Sequence, residues 1–382
     1  MKILVVSHLY PLSGESKNSF ALHYFVKEWS KKHEVKVARL HYSYEPEKKP
    51  ATGRVLLDGV EVSVFSPLWV PVLKLSLVDA EKILRDLDFE PDVIVAHLYN
   101  AYLGFAKLAR RKNIPLIAGI HKSDIRLLKK PFHKMRVTRA IKQASGVVFR
   151  SVQLEKKFRQ AFPKLNKPGF IAHSGVPEAY IQHTKGLLKN PPAYSATRRI
   201  ISVCQLIPLK QIDKVLLALN EMIALGIADW TYTLIGEGPE MQKLKNLTTD
   251  LGLNGKVTFK GRLTREKAFG EMQQHDIFIM PSYKETLGIA YLEAMASGCV
   301  VIGSQGWGID GIVEDNRNGY LCDPYRQESI TETMRKALTL SDGERARIRT
   351  NSLQTISGFS EQKVAGEYLN FILSVVEGST KH

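Results

Sequence analysis

The chain has 382 residues, of which 44% are hydrophobic and 24% are charged. This length exceeds what one ordinary hydrophobic core fills, and this composition excludes a disordered or collagen-like chain. We therefore expect a globular protein with two domains. The sequence has no run of about 18 apolar residues, so we expect no membrane-spanning helix.

The net charge of +16 is concentrated in one part of the chain. Residues 101–200 hold 22 Lys and Arg side chains against 3 Asp and Glu, a net charge of +19, so the other residues sum to −3. A basic surface of this kind suits nucleic acid, an anionic membrane surface or an anionic substrate. A solvated surface without a partner is the alternative.

Short apolar runs alternate with amphipathic segments in the first half of the chain. The predicted strands are 2–7, 34–40, 92–98, 115–120 and 146–151, and the predicted helices are 18–33, 101–113 and about 132–145. These strands are apolar throughout, which predicts a parallel sheet with both faces covered. The first strand is too short in its apolar part for a signal peptide.

A second alternating series follows residues 176–199, a stretch with prolines and no clear period that is typical of a linker. The predicted strands are 200–207, 231–236, 256–261, 276–282 and a run near 299–303; the predicted helices lie near 210–226, 239–251, 264–274 and 328–339. Two doubly wound α/β domains follow from this pattern. Ligands bind at the carboxyl ends of such strands, and the cleft between two such domains is the default site.

The segment PSYKETLGIAYLEAMASGCVVIGS (281–304) carries two carboxylates, Glu285 and Glu293, around a predicted helix start near Thr286. Eight positions along a helix miss a whole number of turns by about 80°. We therefore expect Glu285 in the preceding loop and Glu293 in the second turn. Each carboxylate suits a pair of sugar hydroxyls.

The alternative for this pair is a capping role for Glu285 and a surface position for Glu293. An unpaired carboxylate in the apolar segment around Glu293 would be costly, which favours a ligand. The amides near Leu287, Gly288 and Ile289 are free at a helix start and can bind phosphate or a sugar hydroxyl.

Other candidate residues also follow predicted strands. Lys210 lies in a short loop before a helix and can reach a diphosphate. His121, with Ser123 and Asp124, follows an apolar strand and is a candidate for chemistry, although a lone histidine is more often structural. The basic and apolar residues of 126–142 fit a helix on an anionic bilayer, and would fit RNA too.

Several patterns argue against other classes of protein. Asp86-Leu87-Asp88 has metal-motif spacing but lies in a polar stretch where we expect a solvated helix end. Residues 8–20 contain a single glycine, so they lack the dinucleotide fingerprint. The three cysteines show no metal or disulfide spacing, which fits a reducing cytoplasm.

The ordered set of motifs resembles glycosyltransferase family 4, the retaining GT-B enzymes, over nearly the whole chain. The strongest part is the Glu-x7-Glu frame of 281–304 followed by GIVEDNRNGYLCDP; LIGEGPE and VTFKGRL precede it in the family's order. In the first half, HLYP, PDVIVAHLYNAYLGFAKLARRKNIPLIAGIHKSD and HSGVP are similar to the family's pattern.

The resemblance implies roles for individual residues. Glu285 would meet the donor sugar, Glu293 the ribose, and Lys210 the leaving diphosphate. The implied catalytic residues are His121, Lys210 and Glu285; the implied donor contacts are Gly14, Gln205, Lys210, Arg262, Leu263, Glu285, Leu287, Gly288, Ile289 and Glu293; the implied acceptor contacts are Ser123 and Asp124. No metal or other cofactor is expected, because lysine and helix-end amides stabilise the leaving group.

The chain departs from the family's pattern in two places. Cys204-Gln205 stands where the family often has Gly-Arg, so one diphosphate clamp is missing, and Arg262 is the candidate substitute. The loop at Ser13 and Gly14 lacks the usual paired glycines.

The expected protein is a GT-B enzyme with two Rossmann-like domains. Residues 1–175 would bind the acceptor, residues 176–358 the nucleotide sugar, and helix 359–382 would pack back on the first domain. We expect it to transfer a sugar from a UDP- or GDP-sugar to a lipid-linked, polysaccharide or lipopolysaccharide acceptor, in the cytoplasm at the inner membrane face, without binding nucleic acid. The alternatives are another GT-B sugar enzyme, such as an epimerase or phosphorylase, and a basic nucleic-acid-binding protein.

Overall fold

The computed structural model describes residues 1–13, 20–42, 53–70, 75–127, 131–191 and 197–379. Gly14, a predicted donor contact, lies outside these residues. The chain divides into two compact units, each with its own sheet. Unit 1 comprises Met1–Ser174 and Glu361–His382, and unit 2 comprises Gly175–Ser360.

The strands of the described residues are short and mostly apolar. In chain order they are β1 (Lys2–Ser7), β2 (Glu34–Leu40), β3 (Arg54–Leu57), β4 (Val60–Phe65), β5 (Leu68–Val70), β6 (Leu75–Leu77), β7 (Val93–His97), β8 (Leu116–Ile120), β9 (Gly146–Phe149), β10 (Gly169–Ile171), β11 (Arg198–Val203), β12 (Trp230–Ile235), β13 (Val257–Phe259), β14 (Ile277–Ile279), β15 (Val300–Ser304) and β16 (Tyr320–Cys322).

Helices connect most of these strands. In chain order they are α1 (Ala21–Trp29), α2 (Ala80–Leu87), α3 (Tyr99–Arg111), α4 (Lys122–Leu127), α5 (Pro131–Gln143), α6 (Val152–Ala161), α7 (Glu178–Lys189), α8 (Ile212–Ala224), α9 (Met241–Asp250), α10 (Arg265–Met272), α11 (Ile289–Ser297), α12 (Gln327–Leu338), α13 (Asp342–Ile356) and α14 (Glu361–Ser379). Pro208–Lys210 forms a 3-10 turn before α8.

Unit 1 has an eight-stranded sheet in the order β10-β9-β8-β7-β1-β2-β4-β3. Its neighbouring strands are parallel, as predicted, except for the antiparallel hairpin of β3 and β4. We did not predict this hairpin, although its sequence signal is present. Asp58 and Gly59 connect the two strands with φ values of 48° and 82°, and Asp-Gly is the preferred pair for such a two-residue turn.

Helix α14 packs on unit 1 through aromatic residues. The indole Nε1 of Trp29 donates to the carbonyl oxygen of Ala365 at 2.9 Å. The rings of Phe25 and Trp29 lie edge-on to Tyr368, with centroids 5.5 and 5.0 Å away. The chain's last helix therefore contributes side chains to the core of unit 1.

Unit 2 has a six-stranded parallel sheet in the order β13-β12-β11-β14-β15-β16. Our interpretation of 176–199 as a linker was wrong for its first part, because α7 occupies Glu178–Lys189. Tyr180, Ile181 and Thr184 form the buried side of this helix. The Tyr180 ring stacks on Phe269 at 3.5 Å between centroids, so α7 belongs to the packing of unit 2.

Candidate functional site

Loops that follow neighbouring strands of unit 2 are joined by backbone hydrogen bonds. Leu206 N donates to Glu237 O at 2.9 Å, and Tyr283 N donates to Leu209 O at 3.1 Å. A Cβ on Gly238 would lie 2.2 Å from the carbonyl oxygen of Leu206, so this position requires glycine. The segment that carries Lys210 is therefore fixed by the loops on both of its sides.

Lys210 and Glu285 form an ion pair at this carboxyl edge of the sheet. The Lys210 Nζ contacts Oε2 of Glu285, and the two side chains are 16% and 22% exposed. Oε1 of Glu285 accepts a hydrogen bond from Thr286 N at 3.2 Å. The structure thus brings together two predicted residues that are 75 positions apart, and presents a cation and a carboxylate side by side.

The helix after Glu285 begins later than we predicted. Helix α11 begins at Ile289 rather than near Thr286, and Gly288 is its N-cap with φ of 81°. This left-handed conformation favours glycine, and a Cβ would also lie 2.6 Å from the Tyr291 ring. The first amides of the helix lack intrahelical acceptors and attract anions. Three residues separate Glu285 from Ile289, and buried Leu287 lies just before the cap.

Glu293 lies in the second turn of α11, as predicted, and is 7% exposed. Its Oε1 accepts a hydrogen bond from Arg265 Nε at 2.5 Å. The guanidinium of Arg265 also lies 5.8 Å from the centre of the Tyr180 ring. Glu293 therefore has a cation partner within unit 2, so its burial does not by itself indicate a ligand, and its donor contact stays a prediction.

The other predicted donor residues lie on different strands. Gln205 is exposed after β11, and its carbonyl oxygen accepts a hydrogen bond from Ile207 N at 3.0 Å. Arg262 is exposed and Leu263 is half-buried after β13, the edge strand of the sheet. Because β12 separates β13 from β11, Arg262 follows a strand that does not neighbour the one before Lys210.

In unit 1, His121 belongs to a series of hydrogen-bonded side chains. It follows β8, and its Nε2 lies 3.1 Å from Nδ1 of His97 at the end of β7. Nε2 of His97 lies 3.2 Å from the hydroxyl of Tyr368 on α14. A Cβ on Gly119 would lie 2.2 Å from His97 Nδ1, so this glycine leaves room for the imidazole. Buried His97 thereby contacts the ring of His121 directly, and buried Tyr368 in turn fixes His97.

The predicted acceptor residues differ in exposure. Ser123 is exposed, whereas Asp124 is 2% exposed. The carboxylate oxygens of Asp124 accept hydrogen bonds from His121 N at 2.7 Å and from Tyr99 N at 3.0 Å. Burial raises the pKa of Asp124 to about 7, against those hydrogen bonds. Asp124 thus ties the start of α3 to the start of α4 and fixes the backbone of His121.

Burial keeps the imidazoles of His97 and His121 neutral at physiological pH. Burial, with a smaller contribution from Arg150, lowers the pKa of His97 to about 3. Burial also lowers the pKa of His121 well below its usual value, with further contributions from His97, Arg150 and His8. One ring nitrogen of each neutral imidazole carries a proton and the other accepts. His121 can therefore exchange a hydrogen bond with a bound molecule without carrying charge.

Sequence reasoning missed three residues of these sites. His97 and Tyr368 support His121, and Arg265 pairs with Glu293. His97 is the last residue of an apolar strand, and His121 directly follows the next apolar strand. This shared position at a strand end was an available signal. Tyr368 and Arg265 lie on helices, and no local pattern marks them.

Two family models match the chain. The model described as "Glycosyltransferase Family 4" matches residues 21–179, and the model described as "Glycosyl transferases group 1" matches residues 189–355. The first covers much of unit 1, and the second covers most of unit 2. Together they include most of the chain.

Curated relatives and solved structures agree with these models. The lipopolysaccharide core biosynthesis glycosyltransferase LpsE of Rhizobium meliloti is 30% identical over 150 residues, which are 39% of this chain and 42% of that protein. The N-acetyl-alpha-D-glucosaminyl L-malate synthase of Bacillus anthracis is 24% identical over 282 residues, 72% of this chain and 71% of that protein. This chain therefore spans less than half of the first relative's length.

A solved structure shares the fold of the whole chain. Anabaena Alr3699/HepE in complex with UDP and glucose superposes with a TM-score of 0.67 at 19% identity, covering 98% of this chain and 100% of that one. Two parallel-sheet α/β units are the components of the GT-B fold. The chain belongs to the group 1 glycosyltransferases of glycosyltransferase family 4 and has the GT-B fold.

Proposed function

We propose that this protein transfers a sugar from a nucleoside diphosphate sugar to a lipid-linked or cell-surface polysaccharide acceptor, with retention of configuration and without a metal. The observation that carries the proposal is the Lys210–Glu285 pair, whose Glu285 precedes the first residue of α11 by four positions. The cation and the helix start match the diphosphate of such a donor and the negative charge that grows on it as the bond breaks. The carboxylate matches the sugar hydroxyls.

Each group has a defined chemical role in this proposal. Lys210 releases Glu285 and binds the diphosphate instead. It then stabilises the negative charge that develops on the leaving oxygen of the diphosphate. The amides of Gly288 and Ile289 bind the same anion. Glu285 then accepts hydrogen bonds from the sugar hydroxyls. Glu293, held by Arg265, accepts from the ribose hydroxyls through its remaining lone pairs.

The remaining predicted residues have supporting roles. The backbone near Arg262 and Leu263 reads the base, and Gln205 contacts the diphosphate. In unit 1, His121 offers a neutral imidazole for the chemistry, and Ser123 and Asp124 are the acceptor contacts. A lysine and helix amides supply positive charge without a bound cation, which supports metal independence. Retention of configuration rests on the Glu-x7-Glu resemblance.

A nucleotide-sugar turnover assay tests the proposal. UDP-, GDP- and ADP-sugars are offered with a lipid-extract acceptor, with and without EDTA, and the anomeric configuration of the product is read by NMR. We expect turnover of one donor, insensitivity to EDTA and a retained configuration. Glu285→Ala should lose most turnover, while Glu332→Ala, which removes an exposed carboxylate of the Glu332–Arg335 pair in the same unit, should not. Equal turnover of the two variants would end the site assignment.

The lipid-linked acceptor is supported by the surface of α5. Phe132 and Met135 are 54% and 61% exposed on this helix, and Lys134, Arg139 and Lys142 lie among them. Exposed apolar residues between cations are typical of a helix that lies on an anionic bilayer. None of the helices in the described residues combines the length and apolarity needed to cross a bilayer. The similarity to a lipopolysaccharide core glycosyltransferase points to the same kind of acceptor.

Vesicle flotation tests this membrane contact. We expect the protein to float with anionic vesicles and not with neutral ones. The double change Phe132→Ser and Met135→Ser should weaken flotation, whereas Leu225→Ser, at a 59% exposed leucine of unit 2, should leave it unchanged. Equal binding to anionic and neutral vesicles would contradict a charge-dependent contact.

A further inference from the structure

Unit 1 contains a cavity between the last turns of α3 and α5, with a volume of about 600 Å³. This α3–α5 cavity is lined by Arg110, Thr138, Arg139, Lys142 and Gln143. Helix α3 precedes β8 and α5 precedes β9, so the last turns of both helices lie at the amino edge of the parallel strands. His121 follows the opposite, carboxyl end of β8. The cavity is therefore separate from the hydrogen-bonded series that holds His121.

The charged side chains of this lining are all cations. Arg110, Arg139 and Lys142 are exposed, and none of their side chains forms an ion pair or a hydrogen bond with any residue that the structure describes. Their own helices offer no carboxylate, because neither α3 nor α5 contains Asp or Glu. Residues 125–154 contain none either. The cavity thus brings together three positive charges that no carboxylate of the described residues balances.

The helices account for only part of this clustering. Arg110 and Lys142 lie in the last turns of α3 and α5, where the helix dipole favours cations. Arg139 lies one turn before Lys142, and like charges at this spacing destabilise a helix. An anion in the cavity would offset the repulsion among all three side chains.

Exposed apolar side chains lie on the same face of α5. Phe132 and Met135 are 54% and 61% exposed. At about 100° per residue, these two side chains fall with Arg139 and Lys142 within an arc of about 80°. At about 1.5 Å per residue, Met135 lies roughly 10 Å from Lys142 along the helix axis. A ligand with an anionic head and an apolar tail matches this order of side chains.

We propose that the α3–α5 cavity binds the phosphate monoester headgroup of an anionic lipid, with the acyl chains against Phe132 and Met135. The guanidinium forks of Arg110 and Arg139 match terminal phosphate oxygens, and Lys142 adds a point charge. A phosphate monoester carries about −1.5 to −2 at pH 7, so it balances more of the three charges than a diester does. The lipid source of the phosphate rests on the membrane contact proposed for α5. No part of the donor chemistry is required.

Vesicle flotation at matched surface charge tests for a defined headgroup site. Phosphatidylcholine vesicles carry either phosphatidic acid, a monoester, or phosphatidylglycerol, a diester, in amounts that give the same zeta potential. We expect the wild type to bind the phosphatidic acid vesicles about tenfold more tightly. Equal binding to the two kinds of vesicle would overturn the proposal, because it would show a contact that depends on surface charge alone.

Glutamine variants locate the bound headgroup. Arg110→Gln and Arg139→Gln should each remove most of the preference for phosphatidic acid, and Arg139→Lys, which keeps the charge and loses the fork, should remove part of it. Arg111→Gln is the matched control, because this neighbouring arginine is 55% exposed, pairs with Glu81 and does not line the cavity. It removes the same charge and should keep the preference. Equal losses in Arg110→Gln and Arg111→Gln would contradict a defined site.

Soluble probes separate this site from the membrane contact and from the donor site. The full chain is titrated by calorimetry with dihexanoyl phosphatidic acid, below its micelle concentration, and with glycerol 3-phosphate. We expect the short-chain lipid to bind the wild type and Lys210→Ala equally, and Arg139→Gln about tenfold more weakly. Glycerol 3-phosphate should bind the wild type more weakly than the lipid does. Equal affinity for the two probes would overturn the lipid assignment.

The combined outcomes distinguish the proposals. Binding of the short-chain lipid without flotation would support the headgroup site and refute the membrane contact. Neither assay measures turnover, so a failure of the donor chemistry would leave both results unchanged. The headgroup site is refuted if the wild type binds neither the phosphatidic acid vesicles nor the short-chain lipid.

Discussion

In unit 1 His121 belongs to a hydrogen-bonded series of neutral side chains, whereas in unit 2 Lys210 and Glu285 are paired charges near the surface. Nε2 of His121 lies 3.1 Å from Nδ1 of His97, and Nε2 of His97 lies 3.2 Å from the Tyr368 hydroxyl. Burial lowers the pKa of both imidazoles. Lys210 and Glu285 are 16% and 22% exposed. An ion pair near water exchanges partners at lower cost than a buried one.

This difference separates two tasks. The pair in unit 2 can release its internal contact for an anion, which suits binding and charge stabilisation. The series in unit 1 can hold the His121 ring in one orientation and keep it uncharged. The predictions below test whether the two sets of residues behave as differently as their environments.

The largest expected effect comes from removing the cation of unit 2. Lys210→Ala should lower kcat by about 10²–10³, the usual loss when one group that stabilises transition-state charge is removed. Lys243→Ala removes an exposed lysine that pairs with Glu240 in the same unit, and its kcat should match the wild type. Steady-state kinetics on the preferred donor measure both. A Lys210→Ala enzyme with unchanged kcat would refute the division of tasks.

The backbone at the start of α11 gives the next effect. Gly288→Ala should destabilise unit 2 by about 1–3 kcal/mol and weaken donor binding, because it combines a left-handed φ with a clash against Tyr291. Gly226→Ala is a matched control, since Gly226 has φ of 78° with nothing within 4 Å of a Cβ. Thermal unfolding should show a smaller loss for Gly226→Ala. Equal losses of stability in the two variants would mean that the clash with Tyr291 does not contribute.

The neutral imidazoles should make unit 1 acid-sensitive. Burial lowers the pKa of His97 to about 3 and of His8 and His173 to about 4, from 6.5. The unfolded chain therefore binds more protons, so stability is present above pH 6.5 and falls as the pH drops towards 4. Asp124 acts oppositely, because its pKa is raised to about 7 and protonation stabilises its folded form as the pH falls.

With three such histidines against one carboxyl group, unit 1 should lose roughly 3 kcal/mol between pH 7 and pH 5. Hydrogen exchange measured by mass spectrometry can compare β7 and β8 with β11 and β12. The strands of unit 1 should lose protection first, and His97→Asn should make that loss shallower. Earlier loss in unit 2 would contradict the neutral-series account.

The smallest effect concerns Glu293, whose charge is already matched by Arg265. Glu293→Gln should raise the donor KM by about tenfold and leave kcat nearly unchanged, since a ribose contact binds ground state and transition state alike. Kinetics with the same donor separate the two constants. A fall in kcat as large as that of Lys210→Ala would place Glu293 with the reacting sugar instead of the ribose.

The sequence predicted the parallel strands and the positions of Glu285 and Glu293 because both depend on local patterns. Continuous apolar runs mark buried strands, and helical spacing puts Glu293 in the second turn. The true start of α11 depends on the left-handed φ of Gly288, and the amino-acid sequence does not show that φ. The missed helix α7 buries Tyr180, Ile181 and Thr184, and half-buried Leu187 and Leu188 continue that stripe one turn further, so its helical period was present and we overlooked it.

Contacts between distant segments could not be predicted from one sequence. Arg265 and Glu293 are 28 positions apart, and His97 and Tyr368 are 271 positions apart. Such pairs form because the fold brings helices and strands together, and a single residue type carries no record of its partner. The hairpin of β3 and β4 differs, since its Asp58-Gly59 turn was visible and we overlooked it.

Nucleotide binding at the Lys210–Glu285 pair tests the central claim most directly. Thermal unfolding is measured with UDP, GDP and ADP on the wild type and on Lys210→Ala. One nucleotide at a hundred times its Kd should stabilise the wild type by about 2.7 kcal/mol. At the same concentration it should stabilise Lys210→Ala far less. The absence of stabilisation by all three nucleotides, or equal stabilisation of both proteins, would contradict the account.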